Sequence, residues 1–327
     1  MSAVRTTAPD LAVEQFEAHR RELTGYCYRM LGSGSEAEDA VQETMVRAWK
    51  AADRFEGRSS VRSWLYRIAT NVCIDMGRSP QRRARPIDLG PARTPDPAHL
   101  SDVLPEERWI TPIADEDVLD LAGDPAAVAS ARETIRLAFV GALQRLPARQ
   151  RAVLILCEVL HWSAAEAAEL LDSSVPSVNS ALQRARATMA EAPSSDAPAV
   201  LSAEQTALLD RYVEAFERYD MDALAVLLHD DVVQTMPPYA MWLQGADDVL
   251  AWWFGAGIGC KGSRLLAGWA NGCPAFAQYR VDPAGGHAPW ALQVLELRDD
   301  RIAGFHAFLD VGESFERFGF PLHLPAD

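Results

Sequence analysis

Residues 163–186 read SAAEAAELLDSSVPSVNSALQRAR, and their punctuation decides the fold of this stretch. Ser163 followed three residues later by Glu166 is a capping box, which starts a short helix over residues 164–171. Asp172-Ser173-Ser174 is a turn, and Pro176 is tolerated only in the first turn of a new helix, so a second helix begins there. Helix, short turn, helix is the spacing of a helix-turn-helix. In the second helix Val178, Leu182 and Ala185 fall on the inner face, leaving Ser177, Asn179, Ser180, Gln183, Arg184 and Arg186 outside. Hydroxyl, amide and guanidinium groups on one helix face suit hydrogen bonding to base edges and phosphates in a major groove.

Outward from this motif, helical periodicity runs over residues 131–190 and stops at the second linker, APSSDAPA (residues 192–199). Residues 14–78 are also helical, interrupted only at GSGS (32–35) and EGRSS (56–60). On the helix over 38–52, Val41, Met45, Trp49 and Ala52 form an apolar row, while Asp39, Gln42 and Glu43 stand together on another face. In the next helix, Val61, Trp64, Leu65, Ile68, Val72 and Met76 make the expected buried stripe. That phase exposes Arg62, Tyr66 and Arg67 and puts Asn71 at the margin. A basic, aromatic-bearing face suits single-stranded DNA. Trp49, Trp64 and Leu65 are expected in the core.

Residues 79–130 change character: Pro80, Pro86, Pro91, Pro95, Pro97, Pro105, Pro112 and Pro125 stand among many acids, the composition of a linker. Its one apolar stretch, Arg108-Trp109-Ile110-Thr111-Pro112-Ile113, is expected to dock through Trp109, Ile110 and Pro112. Beyond the second linker, residues 208–219, 221–228 and 247–254 read as helices. Residues 275–281, 290–297 and 302–309 read as strands with a turn at Asp299-Asp300, so this part is α+β.

The net charge of −15 argues against nucleic acid until it is divided. Residues 14–85 hold 13 Lys/Arg against 10 Asp/Glu, and residues 131–192 hold 7 against 6; the acidity sits in residues 86–130 (2 against 10) and 193–327 (8 against 19). Two mildly basic segments are thus compatible with phosphate contact, and the acidic parts can compete with DNA for them. No window approaches the roughly 20 apolar residues of a membrane span, and residues 1–13 lack a secretory apolar core, so a cytoplasmic location is expected. Cys27, Cys73, Cys157, Cys260 and Cys273 form no metal spacing; reduced thiols, no metal and no cofactor are expected.

At Asp39-Ala-Val-Gln-Glu-Thr44, Ala48-Trp49, Phe55 and Ser63-Trp64-Leu65-Tyr66-Arg67-Ile68-Ala69-Thr70-Asn71 the chain resembles the extracytoplasmic-function class of bacterial RNA polymerase sigma factors. Leu146-Pro147-Ala148-Arg149-Gln150-Arg151 and residues 177–186 look like the minus-thirty-five-binding domain of the same class. The resemblance implies that Asp39, Gln42 and Glu43 bind core RNA polymerase. It also implies that Phe55, Ile68 and Asn71 wall a pocket for a flipped minus-ten base, with Arg62 and Arg67 on phosphates. The common pattern has basic residues where this chain has Asn179 and often Ala181, so promoter choice is expected to lean on Gln183 and Arg184. No segment resembles the central domain of larger sigma factors, which leaves residues 86–130 as a bare connector.

Residues 205–320 resemble the cone-shaped α+β SnoaL-like family. The expected partition is therefore 14–85 and 131–192 as all-α polymerase- and promoter-binding domains, 86–130 as linker and 203–327 as a SnoaL-like domain. Trp242, Trp252, Trp253, Trp269, Trp290 and Trp109 line a pocket or fill a core there. His229, Asp230, Asp231, His306 and Asp310 are the acid–base types available, with no diagnostic spacing. The expectation is a non-enzymatic transcription initiation factor whose partners are core polymerase and promoter DNA. Its C-terminal domain is expected to regulate activity through a small-molecule or intramolecular ligand. The rival reading is a fused isomerase or cyclase regulated by the helical half. A one-component repressor leaves Asp39-Ala-Val-Gln-Glu-Thr44 unexplained.

Overall fold

The computed structural model of the chain describes residues 13–57, 59–77, 82–191, 198, 200–309 and 312–326. They fall into two compact units, a helical one from residues 1–82, 117–120 and 140–193, and a C-terminal one from residues 83–116, 121–139 and 194–327. The helices, in chain order, begin with α1 (Val13–Glu17), α2 (Arg20–Leu31), α3 (Gly34–Ala51) and α4 (Val61–Met76). Next come α5 (Asp115–Val118), α6 (Pro125–Glu133), α7 (Leu137–Gln144), α8 (Ala148–Leu154), α9 (Ala164–Leu170) and α10 (Val175–Ala190). The last are α11 (Ala203–Arg218), α12 (Met221–Ala225) and α13 (Ala246–Phe254).

In the helical unit Ser33 and Ser60 cap α3 and α4, accepting from the amides of Glu36 at 3.3 Å and Ser63 at 3.1 Å. The buried row of α3 is Ala37, Ala40, Val41, Thr44 and Ala48, small residues that let α2 and α4 approach. Trp49, expected in the core, is 65% exposed, because it sits one residue and about 100° round the helix from Ala48. The buried stripe of α4 is Leu65, Tyr66, Ala69, Thr70, Val72 and Cys73, a phase that leaves Met76 exposed. Tyr66, expected outside, is buried: its ring packs on Tyr26 at 5.1 Å and its hydroxyl donates to Glu22 at 3.3 Å. An aromatic body with a satisfied polar tip is at home inside.

The capping box forms as read: the Glu166 amide donates to Ser163 Oγ at 3.2 Å and the Ser163 amide to Glu166 Oε2 at 2.8 Å. Pro176 lies in the first turn of α10, whose buried residues are Val178 and Ala185.

The C-terminal unit carries a sheet of β1 (Leu228–Thr235), β2 (Trp242–Gln244), β3 (Arg264–Ala270), β4 (Cys273–Val281), β5 (His287–Arg298) and β6 (Arg301–Leu309). The order is β2-β1-β6-β5-β4-β3, with β1 and β6 parallel and every other pair antiparallel. One face packs on α11 and α13 through Leu208, Tyr212, Phe216, Trp253, Phe276 and Phe305. The sequence reading found β4 to β6 and missed the other three. β1 carries exposed acids and a register shift between Leu228 and Val233, and β2 is three residues long, so neither shows a clean alternation.

Residues 83–116 are no bare connector, which corrects that expectation. Ala84 bridges Trp109, Val103 bridges Tyr239 and Ala114 bridges Ala270. Trp109 is 2% exposed, Ile110 and Pro112 are buried, and the indole of Trp109 donates to the Leu104 carbonyl at 3.1 Å. Apolar burial and paired backbone groups outweigh the chain entropy that the proline-rich composition suggested would prevail.

Candidate nucleic-acid interface and C-terminal pocket

On α10, Ser177, Asn179, Ser180, Gln183, Arg184 and Arg186 are all exposed, the arrangement a recognition helix needs. The Ser180 hydroxyl donates to the Pro176 carbonyl at 2.9 Å, and Arg186 Nε donates to Glu158 at 3.1 Å. Among the described residues no hydrogen bond or ion pair engages the Gln183 and Arg184 side chains.

On α3, Asp39, Gln42 and Glu43 are exposed on one face; Glu43 accepts from Arg47 at 2.6 Å. On α4, Ile68 is half-buried and Asn71 exposed one turn apart, whereas Phe55 is buried with its ring 5.0 Å from that of Trp64. Arg62 donates to Glu22 at 2.8 Å, and its guanidinium lies over the rings of Tyr66 and Trp162 at 5.1 and 5.3 Å. Arg67 donates to the Glu169 carbonyl at 2.9 Å. The structure therefore brings the helix-turn-helix against the arginines of α4.

Arg151, from the Leu146–Arg151 stretch, extends that packing. It donates to the Met30 carbonyl on α2, to Gln144 Oε1 at 2.5 Å and to the Leu146 carbonyl at 3.1 Å. Burial pushes its guanidinium down to about 10, which leaves it charged at neutral pH.

In the C-terminal unit the turn at Asn271-Gly272 holds the linker. Asn271 Nδ2 donates to the Ile135 carbonyl at 2.7 Å, while its Oδ1 accepts from the Ile113 amide at 3.2 Å. Asp115, 1% exposed, accepts from the Gly272 amide at 2.8 Å and from Arg132 Nε at 3.2 Å, and the Arg132 guanidinium stacks over Trp269 at 4.2 Å. The helix-facing side of the sheet encloses a cavity of about 260 Å³ walled by aromatic residues and by Leu100 of the linker.

The described candidate acid–base residues are not among those lining the cavity. His306 shares a hydrogen bond with Thr235 Oγ1 at 2.9 Å and stands 3.7 Å from Glu296, His229 pairs with Asp231 and Arg298, and Asp310 is outside the described residues. Among the described residues lining the cavity there is no Asp, Glu or His.

Sigma-70 region 2 matches residues 15–83, Sigma-70 region 4 matches residues 136–189, and a SnoaL-like domain matches residues 209–305. The chain is 43% identical over 310 residues to the ECF RNA polymerase sigma factor SigG of Mycobacterium tuberculosis, covering 93% of this chain and 82% of that protein. This chain belongs to the ECF RNA polymerase sigma factors. The sigma factor is also 27% identical to SigJ of Mycobacterium tuberculosis, over 95% of each chain. The crystal structure of SigJ shares its fold with a TM-score of 0.59 at 24% identity, covering 95% of this chain and all of that one.

In this sigma factor the sequence reading missed Trp162 and the Asn271 turn, and it quoted Arg151 without its packing role. Asn-Gly flanked by apolar residues is a strong hairpin signal and was legible. Trp162 precedes the N-cap, where an apolar residue ordinarily staples its own helix; here its ring meets that of Tyr66 on α4 at 5.2 Å. No helix among the described residues is long and apolar enough to cross a membrane.

Proposed function

We propose that this sigma factor attaches to core RNA polymerase through Asp39, Gln42 and Glu43, contacts the minus-ten element through α4 and reads the minus-thirty-five element with α10. Binding core polymerase and directing promoter-specific initiation is the activity of the family, and the family is not enzymatic. The observation that carries the promoter assignment is the outer face of α10, where Gln183 and Arg184 stand exposed and unengaged among the described residues.

The helical unit is closed. Elements about 25 base pairs apart lie about 85 Å apart at the 3.4 Å rise of duplex DNA. A compact unit of roughly 140 residues has a radius of gyration of about 14 Å. Regions 2 and 4 packed through Trp162 and Arg67 therefore cannot reach both elements, and promoter binding requires them to part.

The C-terminal unit sets how freely they part. Residues 83–116 and 121–139, most of the chain between the two promoter readers, belong to that unit, so the tether is shortened while they stay docked. The test is run-off transcription with purified core polymerase, using the full chain and chains with undocked linkers. Promoter-independent behaviour of the full chain would overturn the promoter reading, and equal transcription by all chains would overturn the regulatory one.

A further inference from the structure

Among the described residues lining the 260 Å³ cavity, two buried side-chain polar atoms have no hydrogen-bond partner. The Tyr212 hydroxyl donates to Gln293 Oε1 at 2.5 Å, Gln293 Nε2 donates to Gln278 Oε1 at 2.8 Å, and Gln278 Nε2 donates to Ser263 Oγ at 3.0 Å. Gln234 lies outside this relay. It lines the cavity, is 2% exposed, and donates from Nε2 to the Met236 sulfur at 3.4 Å, but its Oε1 has no partner among the described residues. A buried amide oxygen without a donor is costly, and a ligand that supplies one recovers that cost.

Arg280 lies at the other kind of contact. Its guanidinium stacks on Trp290, 3.4 Å from the ring centroid, and Nη2 donates to Cys260 Sγ at 3.2 Å, while Nε is buried without a partner among the described residues. Residues 193–327 hold 19 acids to 8 bases, yet no described carboxylate pairs with this arginine. Trp290, 37% exposed, marks the solvent side. An arginine held flat by stacking presents its edge to a carboxylate.

We propose that this cavity binds a small aromatic carboxylic acid bearing a hydroxyl: the carboxylate on Arg280, the ring among Trp253 and Phe305, the hydroxyl on Gln234. A hydroxyl both donates and accepts, so it satisfies the Gln234 amide in either orientation. A 150 Å³ cavity holds benzene, so this volume holds roughly ten to twelve non-hydrogen atoms. Leu100 of the docked linker is part of the wall, so a bound acid bears directly on linker docking. The inference deepens the regulatory reading of the C-terminal unit and rests on it only for that last consequence.

The test uses the full chain with 4-hydroxyphenylacetate, phenylacetate and 4-hydroxyphenylacetamide, followed by calorimetric titration and by the rate at which Cys260 is alkylated. Cys27, Cys73 and Cys273 are buried and serve as internal controls. The hydroxy acid is expected to bind saturably and to slow Cys260 alkylation. Arg280→Gln should weaken it at least tenfold and leave the amide unaffected, with Arg280→Lys restoring part of the loss. Gln234→Leu should weaken the hydroxy acid several-fold and leave phenylacetate unchanged, and the unaffected compound in each case shows that the variant is folded. No saturable binding by any of the three at millimolar concentration overturns the site, as does equal binding of acid and amide. Binding without any change in run-off transcription leaves the site standing and removes the regulatory reading.

Discussion

Arg67 on α4 donates from Nη2 to the backbone carbonyl of Glu169 on α9, 2.9 Å away, so an arginine expected on promoter phosphate is held by the domain expected on the other promoter element. Trp162 closes the same contact, its ring 5.2 Å from Tyr66 and under Arg62. Removing a buried tryptophan costs about 3–5 kcal/mol of packing, and here the ring contacts with Tyr66 and Arg62 hold α4 to the segment before α9. Trp162→Ala is therefore expected to lower the melting temperature of the helical unit and to raise promoter affinity of the polymerase-bound factor, read by fluorescence anisotropy. A variant that melts lower without binding promoter more tightly would show that the contact is no brake.

Asp39→Ala with Glu43→Ala should weaken association with core polymerase, more so at low salt, since both carboxylates are exposed. Glu43 shares its charge with Arg47 at 2.6 Å, so Asp39 should account for the larger part. Titration of labelled factor against core polymerase at several salt concentrations measures this, and unchanged affinity refutes it.

Gln183→Ala and Arg184→Ala should each reduce discrimination of the upstream element by about 1–3 kcal/mol if each makes a bidentate base contact. Arg186→Ala should cost less, because Glu158 already partners that guanidinium. Equal loss on specific and scrambled duplexes would assign these side chains to phosphate alone.

Gly272 has a φ of 69°, and a Cβ there would meet the Arg132 carbonyl oxygen at 2.6 Å. Gly272→Ala should therefore undock the linker. Asn271→Ala should weaken docking by about 1 kcal/mol for each of its bonds to Ile113 and Ile135. Proteolysis within residues 83–116 reports docking. Trp109→Ala and deletion of residues 200–327 should shift transcription in one direction, non-additively when combined; resistance of Gly272→Ala to proteolysis would sink this account of the clamp.

Two carboxylates in the C-terminal unit give opposite pH slopes. Burial raises Asp115 above the usual carboxylate range, although the Gly272 amide and Arg132 oppose it. The folded state then holds that proton more tightly than the unfolded one, so stability falls as pH rises from the ordinary carboxylate range through the raised value. Asp115→Asn should flatten that fall. Burial also works against the ionised form of Glu296, but His306, Arg85 and Arg136 outweigh it and hold the carboxyl below its usual range. Its stabilisation is present above the ordinary range and is lost as pH falls below it, and Glu296→Gln should remove that acid limb. Thermal melts across the acid range test both signs.

Local chemistry was legible in the residues themselves. The Ser163–Glu166 box, Pro176 in the first turn of α10 and the polar outer face from Ser177 to Arg186 depend on neighbours a few positions away, and the structure repeats them. So do the runs of β4 to β6, whose apolar pattern is dense enough to stand without partners. The phase of α3 and α4 was another matter, because periodicity states that one face is buried and the packing partner decides which. Ala48 rather than Trp49 faces inward where α2 and α4 come close, and Tyr66 goes in because Glu22 and Tyr26 meet it. Contacts between residues far apart in sequence were decided only by the tertiary structure: Arg67 with Glu169, Ile113 with Asn271, and Gln234 Oε1 left without a donor among the described residues. A linear pattern carries the energetics of a turn of helix; the satisfaction of a buried polar group depends on whatever the rest of the chain brings to it.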